Sequence, residues 1–201
     1  STGSDNTAVG NYALIENTSG EKNTAVGSYA LDANTTGLRN VAVGYNALTA
    51  ATTASDNIAI GEGCADAITT GDNNVAIGKD CLGANTVGDR NVAIGNNALG
   101  NYNPSTNEDS YNVAVGLNAL ISDTTGKNNT AVGGSAGYSV TTGSNNLFLG
   151  KDAGIVGSPG GAITTGSNVI VLGDDNISAA HIQVDWTVAS DKRDKTDVEP
   201  M

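Results

Sequence analysis

Two cysteines and one histidine are the side chains of this sequence best suited to bind a metal ion or to form a disulfide. They are Cys64, Cys81 and the distant His181. Structural zinc sites take four ligands at short, regular spacings. These three residues lack that spacing, so the sequence predicts no metal site and no cofactor. The separation of Cys64 and Cys81 instead equals one period of an internal repeat.

Carboxylates are the second group that could do chemistry. Asp5, Asp56, Asp72 and Asp89 recur shortly before an asparagine, and Asp-rich glycine turns can bind calcium. The Gly-Gly-x-Gly-x-Asp nonapeptide of calcium-binding rolls is missing. We therefore predict that these aspartates are solvated turn residues.

Hydrolysis of a glycan needs two carboxylates facing each other across a groove. Acids such as Glu62, Asp66 and Asp80 lie singly on predicted turns, and nothing in the sequence pairs them. The sequence therefore predicts that this segment is not an enzyme, and a polysaccharide depolymerase is the least favoured function.

The charge balance excludes some partners. The chain has 201 residues, with 21 acidic and 9 basic side chains and a net charge of -12. Three of the bases, Lys192, Arg193 and Lys195, lie in the last ten residues, so the body has no basic stripe. Nucleic acids and anionic membrane surfaces need clustered bases, so neither is expected as a partner. No apolar run approaches the ~20 residues that span a bilayer, so no membrane insertion is expected.

An internal repeat organises the chain from residue 6 to residue 173. Its core is Asn-x-Ala-(Val/Ile)-Gly, and the first six closing glycines are evenly spaced, one in each repeat. Longer intervals follow the sixth and the ninth of these glycines. The closing glycines are Gly10, Gly27, Gly44, Gly61, Gly78, Gly95, Gly116, Gly133, Gly150 and Gly173.

Each repeat predicts a short strand. In the third copy, Val41 and Val43 face one way, and Asn40 and Ala42 face the other, which is the period of a strand. An Ala-Leu pair shortly after the glycine predicts a second, shorter strand, and a Thr-Gly pair predicts a turn in which glycine takes a positive φ. Stacked coils of this kind form an all-β parallel solenoid of about ten 17-residue coils. We expect Val and Ile inside, Ala on a flat outer face, and the asparagines bonded in a ladder.

The repeat also predicts the state of the cysteines. Both occupy a position that alanine holds in other coils, so they should stack in adjacent coils about 4.8 Å apart. That separation is compatible with a disulfide, but parallel stacking points both side chains the same way. Two buried thiols are the favoured interpretation.

Two coils carry insertions, at residues 100–110 and 155–161. Insertions in solenoids form surface loops and often lie on the binding face. Tyr102 lies within the first insertion and Tyr111 directly follows it, and the two rings are the candidates for stacking on a glycan. The favoured interpretation of both insertions is that they are tolerated surface loops.

The repeat resembles the head domains of trimeric autotransporter adhesins, which carry Asn-Ser-Val-Ala-Ile-Gly units in a left-handed parallel β-roll. It also resembles collar and shaft segments of phage tail fibres. Residues 6–173 carry the resemblance, which implies a left-handed β-roll and a homotrimer. A thin coil buries few apolar side chains, and sharing them between chains is consistent with that assembly.

The C-terminal residues carry a second resemblance. Residues 1–176 are the predicted solenoid domain, and the alternating segment 177–189 predicts a capping strand. Residues 190–201 resemble the opening of the endosialidase-type intramolecular chaperone, Ser-Asp-(Arg/Lys)-Arg-x-Lys-x-x-(Ile/Val). The resemblance implies self-cleavage between Ser190 and Asp191, with Ser190 as nucleophile and Lys195 as its base. The body of that domain is not in these 201 residues, so cleavage is expected of a longer parent protein.

Together these patterns predict a trimeric segment of a viral tail fibre or tailspike, exposed on the virion tail. We expect it to attach the particle to a receptor on the host cell surface, such as a glycan. The alternative is the head of a bacterial trimeric surface adhesin, located on the cell surface. The sequence that follows Met201 distinguishes them, because a chaperone domain favours the phage and a coiled-coil stalk with a membrane anchor favours the adhesin.

Overall fold

A computed structural model describes residues 2–179 as an all-β solenoid with one three-residue strand in each coil. No helix occurs in this part of the chain. The strands are β1 Thr7–Val9, β2 Thr24–Val26, β3 Val41–Val43, β4 Ile58–Ile60, β5 Val75–Ile77, β6 Val92–Ile94, β7 Val113–Val115, β8 Thr130–Val132, β9 Leu147–Leu149 and β10 Ile170–Leu172.

The ten strands form a single parallel sheet in sequence order. Each strand pairs in register with the next, so that Ala42 lies opposite Ala59 and Val43 opposite Ile60. The register holds even across the longer coils, where Val92 pairs with Val113 and β9 pairs with β10. The predicted parallel β-solenoid is confirmed.

The inner and outer sides of the strands are the reverse of the prediction. The central alanine of β2 to β8 is completely buried, whereas the flanking Val and Ile side chains are partly exposed, as at Ile60 (39%) and Ile77 (36%). The prediction that Val and Ile lie inside and Ala outside is therefore wrong. Only a small side chain fits between the strand and the chain that returns opposite it. The buried alanines are Ala25, Ala42, Ala59, Ala76, Ala93, Ala114 and Ala131.

The prediction that the Ala-Leu pair forms a second strand is wrong, because the pair is part of a turn. Leu31 and Leu48 have a left-handed backbone, each with a φ of 51°, and both side chains are completely buried. A left-handed residue costs roughly 1–2 kcal/mol, and burying a leucine returns about as much or more, roughly 1.5–3 kcal/mol. Burial of the leucine in the core opposite the strand thus offsets the cost of the left-handed backbone.

Coil nine shows how closely the two halves of the core depend on each other. Phe148 stands in β9 where earlier strands have alanine, and it is completely buried. The leucine position is glycine both in this coil, at Gly154, and in the preceding coil, at Gly137, and a Cβ on either one would meet the Phe148 ring. One large ring thus occupies the space of two leucine side chains, as expected of a close-packed interior.

The asparagine ladder is confirmed. The backbone N–H of Asn57 donates to Oδ1 of Asn40 (3.0 Å), and its side-chain amide donates to the carbonyl of Gly71 (2.9 Å). Each asparagine side chain therefore accepts a hydrogen bond from the next coil, and its amide closes the coil to which it belongs. Buried amides need such partners, so the column is structural.

The Thr-Gly turn differs from the prediction in which residue is left-handed. The positive φ falls two residues later, at Arg39 (56°), and not at Gly37. Gly37 is needed for space, because a Cβ there would overlap the carbonyl oxygen of Ala54 in the next coil.

Candidate binding surface

The first insertion places Tyr102 in the core. Its side chain is completely buried, and its hydroxyl has no hydrogen-bond partner among residues 2–179. Burial raises the pKa of Tyr102 to about 12. A buried ring offers no face to a sugar, so the prediction that Tyr102 stacks on a glycan is wrong.

The position of Tyr102 could have been found by counting coils. It follows Asn85 by one repeat period, and Asn85 follows Ile68 by the same interval. All three are completely buried and belong to one inward-facing column. The extra residues of the insertion enter the chain only after this tyrosine.

Tyr111 lies on the surface beside the same insertion and is 50% exposed. Its hydroxyl donates to Asp109 (3.0 Å), and the guanidinium of Arg90 lies 5.8 Å from the ring centroid. Arg90 also forms an ion pair with Asp109, and Lys127 pairs with Glu108 (2.6 Å). Charged contacts to both neighbouring coils therefore hold the loop in place.

This arrangement leaves Tyr111 as an exposed aromatic ring next to the first insertion. Arg90 covers part of the ring through a cation–π contact. The ring and the surrounding charged and hydroxyl groups could contact a polar ligand, and glycan stacking by Tyr111 stays a prediction.

The second insertion forms a compact loop around Ser158, which is 5% exposed. The Ser158 hydroxyl accepts from the backbone N–H of Gly154 (3.0 Å) and donates to the carbonyl of Ile155 (2.8 Å). The N–H of Gly161 donates to the Ser158 carbonyl (2.8 Å). One buried hydroxyl thus closes the loop on itself.

The cysteines are two buried, free thiols, as predicted. The Cys64 thiol donates to the carbonyl of Ala76 (3.2 Å), and the Cys81 thiol donates to that of Ala93 (3.0 Å). Contact with Cys64, together with burial, raises the pKa of Cys81 above its usual range. A protonated thiol without solvent access is a poor nucleophile, so the pair has a packing role.

The turn aspartates interact with protein atoms. Asp56 pairs with Arg39 (2.6 Å), whose hydrogen bond lowers the Asp56 pKa. Asp72 and Asp89 accept backbone N–H groups from the preceding coil, at 2.6 and 2.7 Å. Burial raises the pKa of Asp89. Within residues 2–179, no group of three or more His, Cys, Asp or Glu side chains is arranged to hold a metal ion.

Asp123 is a buried carboxylate that the sequence reasoning did not identify. It stands in the inward column of Asn85 and Tyr102 and is completely buried. It accepts the N–H of Gly126 (2.7 Å) and the amide of Asn129 (3.1 Å). Burial outweighs these hydrogen bonds and raises its pKa to about 6. Counting one longer coil onward from Tyr102 would have placed it there.

The residues predicted to act in self-cleavage, Ser190, Asp191 and Lys195, lie outside the described residues, as do His181 and most of the predicted capping strand 177–189. Between residues 2 and 179 the structure contains no helix with the length and hydropathy that a membrane-spanning segment needs. No protein-family model matches the chain, and no curated protein or solved structure matches it either.

Proposed function

We propose that this chain is a trimeric β-solenoid segment of a viral tail fibre or tailspike, exposed on the virion tail, that attaches the particle to a host cell-surface receptor. The observation that carries the proposal is a long apolar stripe on the outer side of the sheet. Exposing an apolar surface to water along the whole length of a rod is unfavourable, so its burial favours association.

The stripe consists of the outward residues of the ten strands, which are Val, Ile or Leu except for Thr7, Thr24 and Thr130. It runs across ten strands spaced about 4.8 Å apart and includes no charged side chain. Its members include Val26, Ile58, Ile60, Ile77, Ile94, Val132, Leu149 and Leu172, which are between 36% and 48% exposed. Contiguous apolar patches of this extent mark interaction surfaces.

Identical chains are the simplest occupants of this surface. The in-register sheet presents one outward pair in each coil, so three parallel copies aligned coil by coil can bury equivalent side chains along their whole length. Closed cyclic assemblies of this kind leave no open interface. The number three comes from the resemblance to trimeric adhesin heads and phage fibres.

A substitution in the stripe tests the assembly. We expect the native chain to sediment as a species three times the 20.0 kDa of the monomer. Ile77→Lys should yield monomers, because three lysines would meet in an apolar interface. Sedimentation velocity measures both.

Leu117→Lys is the matched control, because Leu117 is 55% exposed and lies off the stripe. It should remain trimeric. A monomeric native chain, or a trimeric Ile77→Lys variant, would contradict the proposal.

The resemblance of the C-terminal motif to the chaperone opening supports the viral fibre over the alternative, a bacterial adhesin head. We expect a protein that carries this segment together with the chaperone domain to release a chain ending at Ser190, because the resemblance implies a scissile bond before Asp191. A lysine of lowered pKa can activate a serine hydroxyl. Ser190→Ala should abolish cleavage, and intact-mass measurement reads it directly.

The control for this experiment is Ser178→Ala, a serine upstream of the motif. It should leave cleavage unchanged. An uncleaved native parent, or cleavage that persists in Ser190→Ala, would contradict the assignment of a chaperone junction.

A further inference from the structure

A concave site lies beside the second insertion. It shares no residue with the apolar stripe and does not include Tyr111. Its volume is about 310 Å³, and residues of two adjoining coils and the insertion line it. The lining residues are Ser135, Tyr138, Ser139, Asp152, Ile155 and Val156. This volume is at the lower end of the range, about 300–1,000 Å³, of small-molecule sites.

The insertion builds one wall of this site and holds it in a fixed shape. Ile155 and Val156 belong to the loop that the buried Ser158 hydroxyl closes. Val156 is 83% exposed, the highest value among the large apolar side chains of residues 2–179. A rigid loop that keeps an apolar side chain in water loses little entropy when a ligand covers it.

The opposite wall supplies an aromatic ring and polar groups. Tyr138 is 44% exposed. Ser135 precedes it and Ser139 follows it in the sequence, and both contribute hydroxyls to the lining. Asp152 adds a carboxylate, which forms an ion pair with Lys151. The site therefore combines apolar surface with both hydrogen-bond donors and acceptors.

The lining selects among ligand classes. No basic side chain lines the site and Lys151 is already paired with Asp152, so an anion would find no free base there on a chain of net charge -12. A simple cation would have to compete with Lys151 for Asp152. A purely apolar ligand would cover the two serine hydroxyls without offering them hydrogen-bond partners.

We infer that this site binds a neutral hexopyranose unit of a cell-surface saccharide. One face of a pyranose carries C–H groups that pack on an aromatic ring, whose face is electron-rich. Its hydroxyls pair with Asp152 and the two serines, and its far edge contacts Val156. This inference rests on the proposed attachment function, because it names the class of receptor.

Saturation-transfer NMR on the full chain tests the site. The probes are methyl glucoside, methyl galactoside and methyl mannoside, with N-acetylneuraminic acid and tetramethylammonium as charged comparisons. We expect saturation transfer to at least one neutral hexoside and none to either charged probe. Tyr138→Leu and Val156→Asp should each weaken hexoside binding at least tenfold.

Val156→Asp guards against a folding artefact, because its side chain is almost fully in solvent and its thermal midpoint should stay unchanged. Tyr45→Leu is the matched control, because Tyr45 is a 53% exposed tyrosine in another coil and belongs to neither candidate site, and it should bind as the native chain does. Absence of transfer to every neutral hexoside, equal binding by Tyr138→Leu, or preference for a charged probe would overturn the inference.

Sedimentation and host-cell binding, measured on the same samples, separate the two proposals. A trimer that binds cells but no hexoside removes only the saccharide site. Hexoside binding by a chain that is monomeric and does not bind cells removes the attachment function and leaves the site.

Discussion

Gly61→Ala is expected to destabilise the solenoid by about 4 kcal/mol, combining a disfavoured backbone with overpacking. Gly61 has a φ of 142°, a conformation that side chains rarely adopt. An added Cβ would also lie 2.7 Å from the carbonyl carbon of Gly78 in the next coil. Neither coil can move away, because the sheet and the asparagine ladder fix their spacing.

Thermal and urea unfolding, followed by circular dichroism, measure this effect. Gly134→Ala is the matched control, because a Cβ there meets nothing within 4 Å and its φ is not positive. It should change stability by less than about 0.5 kcal/mol. Equal stability of the two variants would show that the closing glycine is not required for stacking.

Asp123→Asn is expected to stabilise the protein by about 2 kcal/mol at pH 7.5, a little less than the roughly 3 kcal/mol that its pKa shift implies. Burial raises the Asp123 pKa from 3.8 to about 6, so the charged form is disfavoured in the folded state. Asparagine carries no charge and fits the same column, but its Nδ2 replaces the oxygen that accepts from the Asn129 amide, and the loss of that hydrogen bond reduces the gain. Asn85 shows which hydrogen bonds an asparagine makes in this column, since it accepts the N–H of Gly88 (2.8 Å) and donates to the Gly88 carbonyl (2.9 Å).

The pH dependence of this gain has a definite sign. Because the folded state binds the Asp123 proton more tightly than the unfolded state, the native chain gains stability as the pH falls from about 6 towards 3.8. The advantage of Asp123→Asn should therefore shrink over that range and vanish near pH 4. Urea midpoints of both proteins between pH 4 and 8 measure the difference.

Glu16→Gln is the control for the charge itself, because it removes one negative charge from an exposed side chain. It should not reproduce the gain in stability at pH 7.5. A destabilised Asp123→Asn variant at pH 7.5, or a gain that does not vary with pH, would show that burial of this carboxylate does not destabilise the fold.

The repeat was enough to predict most of the architecture. The Asn-x-Ala-(Val/Ile)-Gly unit placed every strand, because in-register stacking brings equivalent residues into one column. The same logic placed the asparagine ladder and the two cysteines correctly. These predictions depend only on the period, which survives the two insertions.

The insertions were harder to interpret. Tyr102 has the sequence context of a loop residue, but it keeps the register of Asn85 and lies in the core. Tyr138 and Val156 stand in no recognisable motif. The structure joins them through the fold of the second insertion and the stacking of two coils.

The sequence by itself determined that the chain is a stack of short strands, because a 17-residue period with two-residue alternation has few other solutions. It could not determine which side of each strand faces the core. Alternation gives two sides, and the inner one is decided by what lies opposite. Here a left-handed turn brings Leu31, Leu48 and their equivalents against the strand, leaving room only for alanine. The valines and isoleucines are thereby turned outward, where they form the surface on which the proposed assembly depends.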